Sequence, residues 1–278
     1  RRQRQMCIRD SPLPKATTAL TEGVTPEGQK LNMGVITATV AQYGGFIELS
    51  DMLLLSAIDN NLVQATKLLG SQAGRTLDTI VRDVLAGGTN VIYAPKIGEG
   101  GAETAVTSRA TLDATCQLTS DLIARAATQL KAMNADPIGD SYVAIIHPYA
   151  AYDLKTCKEF MEVHKYADPD TMFRGEIGKL GNIRFIETSE AKIWKDDTCP
   201  AGLAVFGTLV LGAHAYGVTE LEGGGLEHIV KQLGYGDDPL NQRASVGWKG
   251  MRAAERLVEQ YMVRIESVSS YSATAAAN

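Results

Sequence analysis

Histidines, two acidic or glycine-rich clusters and one loop-like glycine motif are the places where this sequence could hold chemistry. His147, His164, His214 and His228 are the four histidines. None stands at i, i+4 with another, and no HExxH or carboxylate–histidine spacing is present, so a zinc hydrolase centre is not written here. His147 ends the run "SYVAIIHP", just before Pro148, where a ligand would be well placed. A histidine that merely satisfies the turn is the commoner case. "DPDTMFRGEIG" brings Asp168, Asp170, Arg174 and Glu176 close together. A calcium loop needs a denser ladder of oxygen ligands, so a solvated loop is expected. "EGGGLEH", Glu222 to His228, lacks the GxGxxG order and a following helix able to hold a pyrophosphate, and reads as a flexible loop. "GSQAGRT", Gly70 to Thr76, resembles a phosphate-binding loop but is one residue short between its glycines. It also carries Arg75 where lysine is required and falls inside a helical pattern. No Gly-x-Ser-x-Gly elbow occurs. No catalytic, cofactor-binding or metal residue is therefore assigned, and the chain is expected not to be an enzyme. A soluble α+β hydrolase built on His147 and the 168–176 acids is the weakest alternative.

The arginine-rich start, "RRQRQMCIRD", would be a phosphate-gripping arm on its face value. Back-translation gives another reading. The codons CGT CGG CAG CGT CAG ATG TGT ATA AGA GAC, a stretch of a widely used transposase sequencing adapter, encode Arg1 to Asp10 in order. Residues 1–11 are accordingly read as adapter-derived, with the natural start lost upstream and the gene recovered from environmental DNA. The whole chain carries −5; removing the segment's net +3 leaves −8 on the other 267 residues. An acidic chain is a poor candidate for tight, sequence-independent nucleic-acid binding, which needs several lysines or arginines at phosphates. Without Cys7, three widely spaced cysteines remain, Cys116, Cys157 and Cys199. That fits reduced thiols better than a disulfide framework or zinc site. No apolar run approaches 18 residues, so no membrane span is expected. The hydrophobic content of 45% is that of a chain with a real core.

The elements that would position any site are legible in part. "MGVITATVAQYGGFIELS" alternates with β-branched residues, is expected to break at Gly44–Gly45, and reads as a long β-hairpin whose first strand is partly lost. It is too polar for a deep core and needs another surface, such as a neighbouring subunit, to lie on. "NLVQATKLLGSQAGRTLDTIVRDVLAGG" predicts the strongest helix. Leu62, Ala65, Leu69, Ala73, Leu77, Ile80 and Val84 form its stripe, Asp59 or Asn60 its cap and Gly87–Gly88 its end. About 25 residues give ~38 Å. A second helix is expected over Thr119 to Ala135, with Leu122, Ile123, Ala126, Leu130 and Met133 inward. A strand "SYVAIIHP", a helix "YAAYDLKTCKEFMEV" and strands "GKLGNIRFIETSE" and "LAVFGTLVLGAHAYGV" follow. The strand-like close "RASVGWKGMRAAERLVEQYMVRIES" and a disordered tail "YSATAAAN" complete the chain. The class is α+β, with a sheet assembled from distant segments.

The order "LTEGVTPEGQKLNMGVITATVAQYGGFIELSDM", the long helix, then "HPYAAYDLKTC…FMEVHKYADP…GEIGKLGNIRFIET" resembles the major capsid proteins of tailed bacteriophages. The group typified by the N-four-type podoviruses is the nearest. The resemblance runs from Leu13 to Ser267 and implies the Hong Kong 97 shell fold. On it, residues 12–50 form the extended β-hairpin loop, with the N-terminal arm missing. Residues 51–110 form a peripheral domain with a spine helix at Asn61 to Ala86, and 111–235 an axial domain. Residues 236–267 return to the peripheral domain, and 268–278 are a flexible tail. The resemblance implies self-association into pentamers and hexamers of an icosahedral shell enclosing double-stranded DNA without binding it specifically. Scaffold, portal and decoration proteins would be further partners. The location would be the virion, and the host cytoplasm during assembly. Lys30 in the extended loop is a conceivable cross-linking donor, though an exposed lysine usually only solvates. An encapsulin-type compartment shell, sharing the fold, is the alternative.

Overall fold

The computed structural model describes residues 3–9, 15–56 (less 18, 21, 24, 26–27 and 29–32), 60–98, 101–157, 178–219, 223–235 and 238–278. The N-terminal part is a ribbon. Strand β1 (Gln3–Arg9) pairs antiparallel with β2 (Met33–Thr39), and after one residue the chain continues as β3 (Ala41–Ser50). A short helix α1 (Asp51–Ser56) and the long helix α2 (Asn61–Ala86) follow. Next come β4 (Val91–Tyr93), β5 (Lys96–Ile97), β6 (Glu103–Thr104), α3 (Ser120–Ala132), β7 (Tyr142–Ile146) and α4 (Pro148–Thr156). The second half is β8 (Lys179–Leu180), β9 (Ile183–Glu187), β10 (Ile193–Trp194), β11 (Val205–Leu211) and β12 (Tyr216–Val218). It closes with β13 (Glu227–Lys231), β14 (Arg243–Arg252), β15 (Ala254–Arg256) and β16 (Met262–Ser267).

Two sheets hold most of these strands, while β1-β2, β5-β6 and β12-β15 pair off separately. The main sheet has the order β4-β16-β11-β7-β9-β8, with β10 on one end of β11. Its β11 is buried at every position because helices α3 and α4 and the C-terminal segment cover it. Leu122, Ile123, Ala126 and Leu130 of α3 enter this core, with Leu154 of α4 and Phe206 of β11. Met133, expected inward, is only half-buried, one residue past the helix end. The second sheet is a three-stranded wing, β13-β14-β3, in which β14 pairs with β3 along ten residues.

Helix α2 joins the two sheets. Its N-terminal half lays Leu69 and Ala73 on Val246 and Trp248 of the wing, and its C-terminal half lays Leu85 on Leu209, Leu211 and Met262 of the main sheet. The boundaries are local in origin. The Asn60 side chain accepts the Val63 N–H, and Gly87 closes the last turn onto the Leu85 carbonyl. Gly70 to Thr76 lie within it, so that motif is helix and no phosphate loop.

Several expectations are corrected. The chain does not break at Gly44–Gly45, since β3 runs straight through both. They are glycines because of close approach. A Cβ on Gly44 would meet the Trp248 carbonyl at 2.6 Å, and one on Gly45 the Gln72 side chain at 2.6 Å. Nor do the two halves of "MGVITATVAQYGGFIELS" form a hairpin with each other: β2 turns to β1, and β3 to β14. Pro148 both ends the β7 run and opens α4, where its missing N–H costs nothing. That helix stops at Thr156, and residues 158–163 of the expected longer helix lie outside the described residues. The tail is not loose, because residues 268–278 lie along the main sheet and bond to it. Strand β16, inside the 236–267 segment, lies between β4 and β11 of the main sheet, while β14 of the same segment completes the wing.

Candidate assembly surfaces

The histidine that looked most like a ligand is a helix cap. Nδ1 of His147 accepts the Tyr149 N–H at 3.1 Å, and its ring packs 5.2 Å from Phe206 and 4.7 Å from Tyr149. Burial pulls its pKa below the ordinary 6.5. The unfolded chain therefore binds more protons below pH 6.5, so this contribution to stability is complete above pH 6.5 and is lost as pH falls below it. His147→Ala is expected to cost roughly 2–4 kcal/mol from the lost cap and ring. It should also flatten the loss of stability between pH 7.5 and 5. Urea unfolding at both values checks it; an unchanged pH dependence would place the acid sensitivity elsewhere.

The other expected site residues do not gather with it. Asp168, Asp170, Arg174, Glu176, His164 and Lys30 lie outside the described residues. Of "EGGGLEH", Glu222 lies outside them, Gly223 has φ +74°, and Glu227 and His228 belong to β13, so the segment is a turn into a strand. His214 occupies a left-handed position at φ 60° between β11 and β12. Among the described residues no three His, Cys, Asp or Glu side chains come together as metal ligands, and Cys116, Cys157 and Cys199 are free. No helix among them is long and apolar enough to cross a membrane.

The densest polar constellation was missed in the sequence. Glu266 on β16 is fully buried and receives Arg109 through Nε and Nη2, both at 2.7 Å. Arg264 Nε stands 2.9 Å from the same carboxylate, and the Arg264 head also donates to the Ala86 and Gly88 carbonyls at the end of α2. The Trp194 ring lies 4.1 Å from the Arg109 guanidinium and 5.3 Å from that of Arg264. Desolvation pulls the Arg264 pKa down. In Arg109 desolvation pulls the same way, but the hydrogen bonds and charge of Glu266 outweigh it and the pKa rises. The arrangement fastens helix end, sheet and the turn at Arg109–Thr111 together.

Two like turns flank this cluster. "DATC" (113–116) and "DDTC" (196–199) each wrap a carboxylate with the threonine N–H, the threonine hydroxyl and the cysteine thiol. Arg109 Nη1 reaches Thr198 Oγ1 at 3.0 Å. The hydroxyl of Thr115 is the main cause that holds the Asp113 pKa at about 2. The shared Asp-x-Thr-Cys spacing was the signal available in the sequence.

The outer face of the wing is mixed: Glu48, Glu227, Lys231 and Lys249 stand on it beside Phe46, Ile229 and Met251. On β3, alternate residues turn to α2 and to solvent, which leaves Phe46 69% exposed opposite Gly247. A groove of about 420 Å³ runs across the sheet over Phe46, Ile229 and Gly247, with Glu48, Lys231 and Ser245 along it. Met52 and Leu55 of α1 and Leu240 before β14 are exposed as well, Leu55 at 82%. Phe46, Met52, Leu55 and Leu240 are the kind of large exposed apolar side chain that a subunit interface covers, with the neighbouring charges as its polar rim.

Comparison with known proteins gives the same answer. The capsid of Ralstonia phage GP4 superposes with a TM-score of 0.67 at 14% identity, covering 96% of this chain and 83% of that one. The capsid of Cyanophage P-SCSP1u gives 0.69 at 15% identity, covering 96% and 84%. The SrpI encapsulin of Synechococcus elongatus PCC 7942 follows at 0.54 and 8% identity, covering 98% and 85%. These likenesses establish the Hong Kong 97-like shell fold. No curated protein matches the chain. The sequence profile described as "Phage capsid protein" matches residues 34–262, most of the length. With that match the chain belongs to the phage capsid protein family, structural shell-forming proteins and not enzymes.

Proposed function

We propose that the chain is the major shell subunit of a podovirus of the N-four type, enclosing double-stranded DNA by confinement and without specific binding. The exposed ring of Phe46 on the outer face of the β13-β14-β3 wing, with exposed Met52, Leu55 and Leu240 on adjoining segments, supports this reading, because large apolar side chains so exposed suit a surface that other subunits cover. In this reading residues 12–50 are the extended loop reaching over a neighbour. Residues 51–110 with α2 form the peripheral domain, 111–235 the axial domain around the five- and six-fold axes, and 236–267 the return. Each contact can be weak, since multivalency within a closed shell holds many together. Scaffold, portal and decoration proteins would be its further partners, with assembly in the host cytoplasm before residence in the virion. Residues 1–11 keep their reading as translated adapter; the β1–β2 pairing is main-chain bonding, which almost any sequence can supply. An encapsulin-type shell is the remaining alternative.

Negative-stain electron microscopy of concentrated residues 12–278 tests the proposal. Closed shells, or free rings of five and six, are expected. A chain that stays monomeric both alone and with its natural upstream sequence restored would refute it. Genomic neighbours separate the two shell types: terminase and portal genes belong with a phage, a ferritin-like or peroxidase gene with an encapsulin.

A further inference from the structure

Residues 268–278 begin as core and end as a strap. Val268 is fully buried, with its N–H on the Cys116 carbonyl, and Ser269 Oγ donates to the Tyr149 carbonyl at 2.9 Å. Beyond them Ala273 and Ala275 are partly buried against the main core, Asn278 is exposed, and the exposed ring of Tyr271 rests 4.9 Å from Tyr149 and 5.4 Å from Tyr152. Polar contacts do the holding. Ser270 bonds to the Asp153 carboxylate, the Ala204 N–H donates to the Ala273 carbonyl at 2.7 Å, and Lys195 Nζ donates to the Thr274 carbonyl at 2.9 Å.

The strap ends in a fully matched amide. Oδ1 of Asn278 accepts the Ile193 N–H at 2.9 Å, while its Nδ2 donates to the Ala191 carbonyl at 2.9 Å and to that of Ser189 at 3.4 Å. The Asn278 carbonyl accepts from Lys192 Nζ at 2.9 Å. One main-chain donor and two acceptors, set side by side, are the complement of a primary amide. From these contacts we infer that residues 189–193 form a binding notch for an asparagine side chain, and that Asn278 is the hook latching a separately opening strap across the main sheet.

Each alternative side chain fails there for a stated reason. Aspartate keeps the acceptor but sets a carboxylate against two carbonyls. Glutamine is one methylene too long, and alanine offers nothing. The strap is expected to open separately, because its apolar contribution to the core beyond Val268 is two alanine methyls, and segments held mainly by exposed hydrogen bonds open at a fraction of the global cost. The notch is firm on its other side. Arg82 Nη1 donates to the Glu190 carbonyl at 2.7 Å, Arg75 Nε bonds to the Glu190 carboxylate at 2.7 Å, and Lys192 Nζ also reaches Asp83 at 3.1 Å. Helix α2 thus presents the notch, and Lys192 touches both helix and hook.

Hydrogen exchange on the full chain, kept as unassembled subunit, tests this at the Ile193 and Ala204 amides. Asn278→Ala and Asn278→Asp are each expected to speed exchange at Ile193 roughly tenfold, the scale of two lost hydrogen bonds. Amides of β11 should not change, and Thr274→Ala, which leaves its main-chain carbonyl in place, should match the parent. Unchanged Ile193 exchange in Asn278→Ala would overturn the notch. Parent-like behaviour of Asn278→Asp, or an equal effect from Thr274→Ala, would overturn its selectivity for an amide. Equal acceleration throughout β11 would show the strap to be core and overturn the latch.

Discussion

Glu266→Ala is expected to lower the unfolding free energy by about 3–5 kcal/mol, the usual consequence of removing one partner from a buried ion cluster. The melting temperature should fall by roughly 10 °C at this chain length. Two guanidiniums share this carboxylate at 2.7–2.9 Å, that of Arg264 buried and that of Arg109 partly so. Arg264 is 7% exposed and tied to the Ala86 and Gly88 carbonyls, and Arg109 lies against Trp194. Without Glu266 two cations face each other in a dry site. The end of α2 should loosen with them, since Arg264 is its clamp. The exposed pair Arg125–Glu103, at 3.1 Å with both side chains about half exposed, is the control, and Glu103→Ala should cost under about 1 kcal/mol. Denaturant unfolding of both variants decides. Equal losses would mean that burial does not govern the cluster's weight. Replacing Glu266, Arg109 and Arg264 together by apolar residues of like volume should recover much of the stability, because no orphaned charge remains.

Phe46→Asp is expected to leave the isolated subunit folded and to abolish shell formation. The ring is 69% exposed, so the fold loses almost nothing with it. In an assembly the same ring would be buried, and burying a phenylalanine contributes about 1.5–3 kcal/mol per contact. A carboxylate in its place must in addition be desolvated. Each 1.4 kcal/mol is about tenfold in affinity, and the contact recurs at every copy of the interface, so the assembly threshold should rise by at least about a hundredfold. Light scattering against concentration, with circular dichroism as the fold check, reads it. Shells forming at the parent's threshold would show that the wing's outer face is not an interface. Trp248→Ala provides the contrast, since that ring faces inward onto α2, with its Nε1 donating to Gln72 at 3.2 Å. It should detach the wing from the helix and cost stability before it affects assembly.

Local chemistry was readable in the sequence. The bounds of helix α2 and the first half of its stripe, Ala65, Leu69 and Ala73, were legible, because cap and terminal glycines lie within the segment they define; in its second half Arg82, Leu85 and Ala86 are buried where Leu77, Ile80 and Val84 were expected. So were the bounds of α3 to within a few residues, the strand before Pro148, and the family, whose motifs keep their order along the chain. Pairing was decided by the tertiary structure, because an edge of β-branched residues does not say which other edge it meets. Thus β3 found β14, about 200 residues on, and Gly44 and Gly45 became points of close packing where the sequence suggested a break. Burial of charge was decided there too. "VRIES" shows alternation and one acid, but nothing in it marks Glu266 as buried until Arg109, 157 residues away, comes to meet it. The alanine-rich tail read as disordered for the same reason. Its small side chains carry no hydrophobic signal, and what holds it is main-chain and amide hydrogen bonding to partners that only the folded sheet supplies.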